Sequence, residues 1–287
     1  MRILLLTLLL FSITTKLYAG QSIITEGEGY ACMGEDKSRK VTETTATADA
    51  KRKATESAAT YIQAETHVKD AMLEKDLLSA YANAQVKVLQ ELMKEWYKEQ
   101  GLGDCYRVKL KVEVIPDEKA MIGQSKKNRE ALESDPLAPL SVKIWTDRPA
   151  YAEKECVRIY LKGNKPFYGR VVYKQADGTL VQLIPNPYRR DNYFNGGVVY
   201  ELPSGEDKFS METCAPFGAE QVTLYASTVT GGDPELELAD TVFLVKTKAE
   251  DLHTATRGIK LVNGKGKLSA GAAEFAEATA ETSTRKK

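Results

Sequence analysis

The sequence predicts an α+β N-terminal domain, one helix laid on a small antiparallel sheet, followed by an all-β, sandwich-like (Ig-like) domain. Three patterns predict it: alanines at steps of four within residues 42–68, a strict alternation over residues 105–114, and a succession of short alternating runs between 142 and 245.

The helix is the plainest element. Ala46, Ala50, Ala54 and Ala58 fall on one stripe, broadened by Ala48, Ala59, Tyr61 and Ile62, while Lys51, Arg52, Lys53 and Glu56 lie mostly off it. Small residues at i, i+4 let a helix approach another surface closely, so the stripe is expected to be a packing face. Ahead of it, residues 22–33 form a short extended stretch carrying Gly27 and Gly29.

Residues 76–98 are compatible with two periods. Leu77, Tyr81, Val88, Leu92 and Trp96 share a helical face, yet 84–89 alternates like a strand. The run CYRVKLKVEV decides between them: Tyr106, Val108, Leu110, Val112 and Val114 alternate with charged residues, and a Gly-rich turn at 101–104 precedes it. A turn directly before a strand favours a hairpin, so residues 86–97 are assigned as its partner.

Residues 116–140 are polar, charged and rich in proline, a linker composition. Short strands are then expected at 142–145, 156–161, 169–173, 180–184, 198–202, 209–213, 221–228 and 241–245, separated by turns such as Ala176-Asp-Gly and Thr230-Gly-Gly-Asp-Pro. That spacing predicts an antiparallel sandwich or barrel over 141–248. The final segment, 249–287, is Ala, Glu, Thr and Gly with Phe275 as its one large aromatic. It is expected to be largely disordered, with a marginal helix near 269–279.

The chain opens with Arg2, an apolar core over residues 3–11 and Ala19, the pattern of a signal peptide spanning residues 1–19. Nine apolar residues are too few to span a bilayer as a helix, and no later run approaches eighteen, so no transmembrane segment is expected. Forty basic and forty acidic residues argue against nucleic acid as a partner, since phosphate binding needs a clustered cationic excess. The expected location is the periplasm or the outside of a bacterial cell. The four cysteines, Cys32, Cys105, Cys156 and Cys214, are even in number and match no zinc spacing. Three pairings are formally possible; bonds within each domain, Cys32–Cys105 and Cys156–Cys214, are the expectation.

Two family resemblances rest on these residues. The order GEGYA, alanine-stepped helix, DCYRVKLKVEV resembles an N-terminal envelope module of the flagellar assembly protein T and of a family of small outer-membrane lipoproteins, over about residues 22–115. The lipid-anchor cysteine of those lipoproteins has no counterpart here. The resemblance implies a helical layer on a small antiparallel sheet. Residues 141–260 are similar to an uncharacterised exported bacterial domain through Asp147-Arg-Pro-Ala-Tyr151, Asp177-Gly178, Leu183-Ile-Pro-Asn186, Leu202-Pro203 and Pro216-Phe-Gly218. That resemblance implies a β-sandwich-like module and no particular activity.

Catalytic candidates are sparse. His67 and His253 are the only histidines, and each is expected at the surface. No Walker loop, nucleophile elbow or zincin helix occurs, and Gly27-x-Gly29 lacks the context for dinucleotide binding. The acidic group Asp233, Glu235, Glu237 and Asp240 lacks the glycine-centred loop of a calcium site and fits a solvated turn and edge strand. No cofactor and no metal are expected, and the chain is not expected to be an enzyme. The surface candidate is the loop at 184–197, where Tyr188, Arg189, Arg190, Tyr193 and Phe194 combine aromatic and guanidinium groups, the usual anchors of interfaces. The expected function is assembly or protein–protein interaction with an envelope protein partner; the alternative is a glycan- or peptide-binding module using this loop.

Overall fold

The computed structural model describes residues 21–35, 37–65, 71–117, 133–205, 207–257 and 272–287. The expected signal segment at 1–19, His67 and most of the expected linker lie outside them. The described chain is mostly β, built on a large antiparallel sheet with few helices.

The N-terminal elements are β1 (Gln21–Cys32), α1 (Arg39–Glu65), α2 (Ala71–Ala82), β2 (Gln85–Glu99) and β3 (Gly103–Ile115). The two periods of residues 76–98 therefore both occur in succession: Leu77 and Tyr81 are buried on α2, while Val88, Leu92 and Trp96 belong to β2. β3 pairs antiparallel with both β1 and β2. Its odd and even residues divide as alternation requires, with Val108, Leu110, Val112 and Val114 buried under α1.

The alanine stripe and the two glycines of β1 form one contact. Ala46, Ala50, Ala54 and Ala58 are fully buried. A Cβ on Gly27 would lie 2.1 Å from the Ala50 carbonyl oxygen, and one on Gly29 would lie 2.1 Å from that of Ala46. The helix axis thus passes so near the strand that only glycine fits beneath it. The GxG pattern, without a phosphate role, is a seat for α1.

Further along come β4 (Val142–Thr146), β5 (Ala150–Ala152), β6 (Ile159–Gly163), β7 (Phe167–Lys174), β8 (Leu180–Ile184), β9 (Tyr193–Phe194), β10 (Tyr200–Leu202), β11 (Ala219–Ser227), β12 (Leu236–Ala239) and β13 (Val242–Val245). A helix, α3 (Ala249–Thr256), and a last strand, β14 (Ala273–Arg285), follow. The large sheet runs β12-β13-β8-β7-β11-β14-β1-β3-β2, and β10-β6-β4 form a second sheet of three strands. Between the two sheets lies a core of Ile144, Tyr151, Ile159, Leu161, Phe167, Val171, Phe194, Val222 and Leu224. Residues 209–213, expected as a strand, contribute only an isolated bridge between Glu212 and Cys156.

The C-terminal segment corrects the expectation of a disordered tail. β14 pairs with β11 from Ala219↔Ser283 to Ser227↔Phe275, and with β1 from Gln21↔Ala276 to Ile24↔Ala273. It is the strand that joins the two halves into one sheet. Its small side chains suit a position covered on both faces: Ala276, Ala278 and Ala280 pack on the core between the sheets. Glu274 is 3 % exposed and satisfied by three distant groups, accepting from Tyr61 Oη at 3.0 Å, from Lys165 Nζ at 3.0 Å and from the Leu140 amide. Polar composition signalled disorder only because these partners lie more than a hundred residues away.

At the far end, β2 is an edge strand of fifteen residues. Two register shifts, between Val88 and Gln90 and between Glu91 and Met93, and Lys87, Lys94 and Lys98 blunt that edge against indiscriminate pairing.

Candidate functional site

Cys32 and Cys105 face each other across β1 and β3 and are bonded. The bond closes 73 residues of chain, which in the chain-entropy model stabilises by roughly 4 kcal/mol. The second expected disulfide is absent: Cys156 and Cys214 are free and exposed. The register explains why. Cys156 lies opposite Glu212, with Val157 N donating to Met211 O at 2.9 Å and Thr213 N to Glu155 O at 3.0 Å. Cys214 is therefore a diagonal neighbour, and diagonal pairs stand roughly 7–8 Å apart, beyond the usual span of a disulfide. A thiol-reactive dye applied to native, unreduced protein is expected to label these two cysteines and leave Cys32 and Cys105 unlabelled. Labelling of fewer than two thiols would contradict this pairing.

The 184–197 loop is held by its own side chains. Asn186 Oδ1 accepts from the amides of Tyr188 at 2.8 Å and Arg189 at 2.7 Å, and its Nδ2 donates to Leu183 O at 2.7 Å. The five expected binding residues divide. Phe194 is fully buried, packed on Phe167 and Tyr200. Arg189 pairs with the buried carboxylate of Asp207 at 3.2 Å and lies over the Phe194 ring, so it anchors the loop. Tyr188, Arg190 and Tyr193 remain exposed, with Tyr188 stacked on Phe209 and Tyr193 edge-on to Tyr168.

A second polar arrangement has no local signal in the sequence. On the sheet face turned away from the core, α3 lays Arg257 and His253 over β1, β3 and β14. Arg257 is paired with Glu113 and Glu277, and Ser22 Oγ donates to Glu113 Oε1 at 2.6 Å. His253 Nδ1 lies 2.7 Å from Arg257 Nη1. Both ring nitrogens thus face cationic donors, Nδ1 the Arg257 guanidinium and Nε2 the Lys87 ammonium, an environment that favours the neutral ring. Nε2 is 3.5 Å from Glu113 Oε2, a buried oxygen with no hydrogen bond of its own. Lys87 Nζ, 3.2 Å from the same nitrogen, donates to Thr254 Oγ1 at 2.9 Å. The cluster ties β2, β3, β1 and β14 to one helix, and His253, still partly exposed, is part of it.

Burial, and then the adjacent Arg257 charge, hold the His253 pKa below its ordinary value of 6.5. The unfolded chain then binds a proton that the folded chain resists. The stability His253 contributes is complete above about pH 6.5 and is lost as pH falls below that value. Melting temperature is expected to drop between pH 7.5 and about 5.5, and more shallowly in His253→Gln; equal slopes would remove the histidine from this account.

Two of the four acidic residues of 233–240 are engaged with cations of the chain itself. Asp233 pairs with Arg170 at 2.8 Å and Glu237 with Lys246, and β12 is the outer strand of its end of the sheet.

These features define a mostly β chain with an aromatic-bearing loop and, near it, a buried ionic clamp. Residues 150–230 match the model of a family described as a domain of unknown function (DUF4384). Neither the curated proteins nor the solved structures contain a match to the chain. The matched stretch holds the core of the second resemblance, and several signature residues there build turns. Asn186 caps the loop, and Asp147, just ahead of the match, accepts from Tyr151 Oη at 2.6 Å and from the Arg158 amide at 3.0 Å. Among the described residues, no helix is long and apolar enough to cross a membrane.

Proposed function

We propose that this chain is a non-enzymatic, exported protein of a bacterial envelope that works by binding another envelope protein. Export is supported by the leader pattern of residues 1–19 and by the Cys32–Cys105 bond, which suits an oxidising compartment. In this reading residues 20–115 are an α+β envelope module, of the kind resembled by the flagellar assembly protein T and the small lipoproteins. Residues 141–248 are a sandwich-like domain, its three-stranded sheet facing the large one.

The observation that carries the interaction reading is the 184–197 loop. Asn186, the Arg189–Asp207 pair and buried Phe194 fix its shape, while Tyr188, Arg190 and Tyr193 project from it. Tyrosine and arginine on a preorganised loop bind with little ordering cost.

The test is a photo-crosslinking amino acid placed at Tyr193 in cells, with the same probe at Lys51 on α1 as control. A discrete adduct specific to position 193, abolished by Arg190→Ala without loss of melting temperature, is the expected result. Adducts identical at both positions, or none, would overturn the reading. If a soluble glycan or peptide is the ligand instead, Arg190→Ala with Tyr193→Ala abolishes its binding to purified protein.

A further inference from the structure

The sheet face that carries the Arg257 clamp also borders a cavity open to solvent. Tyr168 and Arg170 on β7, Tyr225 on β11, and Phe275 and Glu277 on β14 line it from below. The 230–233 loop and the end of α3 form its walls, held together by Gly232 N donating to Thr256 O at 3.2 Å. Gly231 sits where a Cβ would lie 2.6 Å from that same oxygen, so the wall closes only with glycine there. Pro185 and Asn192 of the 184–197 loop line its remaining side. The cavity measures about 300 Å3, at the small end of the range for compact ligands.

Its charges are already matched. Among the lining residues Arg170 is paired with Asp233 and Arg257 with Glu277, and Glu113 behind them also pairs with Arg257, so an added anion meets no excess of positive charge. The polar capacity left over is directional and largely uncharged. Among the described residues, Arg257 Nη2, the hydroxyls of Tyr168 and Tyr225 and the Asn192 side-chain amide make no hydrogen bond, and all four residues border the cavity. Tyr168, Tyr225 and Phe275 add aromatic rings to the same lining, with the Arg257 guanidinium over that of Phe275. Donors and acceptors spaced around aromatic rings, with no net charge, match an uncharged ring that carries many hydroxyls and presents apolar C–H faces. Amino acids and phosphates lack one or both of those properties.

We propose that this cavity binds a single neutral sugar unit, free or at the end of a glycan chain. Tyr225, Tyr168, Asn192 and Arg257 Nη2 hydrogen-bond its hydroxyls, and the aromatic rings pack on its C–H faces. This site adjoins the 184–197 loop, whose Asn192 lines it and whose Tyr193 packs edge-on against Tyr168, but its test does not depend on the partner-binding reading.

The full exported chain is titrated with glucose, galactose, mannose and N-acetylglucosamine, with acetate, phosphate and glycine as controls, followed by chemical shifts and calorimetry. At least one neutral sugar is expected to saturate, and Tyr225→Phe and Asn192→Ala are each expected to weaken it about tenfold, the loss of one good hydrogen bond. Both variants should melt as the parent does; if either melts early, Tyr168→Phe makes the same comparison. Oligosaccharides ending in the preferred unit separate the two sources: tighter binding assigns a glycan terminus, equal binding a free sugar. No saturation by any neutral sugar at tens of millimolar, stronger binding of a control ion or of glycine, or binding untouched by all three variants would overturn the proposal.

Discussion

A chain ending before Ala272 is expected to lose its cooperative fold altogether. β14 supplies nine consecutive register pairs to β11 and four to β1, and it is the one strand that connects those two neighbours. Without it, Val222, Leu224 and Ile23, all fully buried, face water along an open seam. Glu274 disappears as well, leaving the partly buried Lys165 ammonium and the Leu140 amide without it. Exposed apolar area of that size and a stranded charge together exceed the ~5–15 kcal/mol that ordinarily separates folded from unfolded domains. Circular dichroism of the truncated chain should show no cooperative melt, and a synthetic peptide of residues 272–287 should restore one. A truncated chain that melts as the parent does would refute the central place given to this strand.

The second large effect is expected from Gly29→Val. Its Cβ would meet the Ala46 carbonyl oxygen at 2.1 Å and the Ala50 amide nitrogen at 2.3 Å. Both obstacles are backbone, so neither can rotate away. α1 must lift from the sheet, and four fully buried alanines lose their contact together. Overpacking of this kind costs at least about 3 kcal/mol, read as a fall in denaturant midpoint. Gly34→Ala is the control. Gly34 has φ +58 and nothing within 4 Å of where a Cβ would stand, so only the left-handed strain of ~1–2 kcal/mol applies. Equal losses in the two variants would show that close approach does not set the effect.

Much of this fold can be inferred from local pattern. Alanine at i, i+4 locates α1, alternation locates β3, and turn residues bound β7, β8, β11 and β13. Each of these signals is contained within one element. What escapes depends on pairs distant along the chain. Glu274 and Glu277 look like solvated residues of a tail until Lys165, Tyr61 and Arg257 are brought to them. Arg189 resembles a free anchor until Asp207 is seen beside it, and Phe194 resembles a surface aromatic until Phe167 covers it. Cys156 and Cys214 do come near each other, but a shift of two residues in register separates neighbours from bonded partners. Spacing along the chain cannot express that shift.

The position of β14 also governs the order of assembly. It lies between β1 and β11 in the sheet yet follows both in the chain, so those two strands cannot be joined before residues 273–285 have been made. Until then each presents an unpaired row of amides and carbonyls, and the two parts of the sheet must hold those edges open for a strand that arrives after every other strand described.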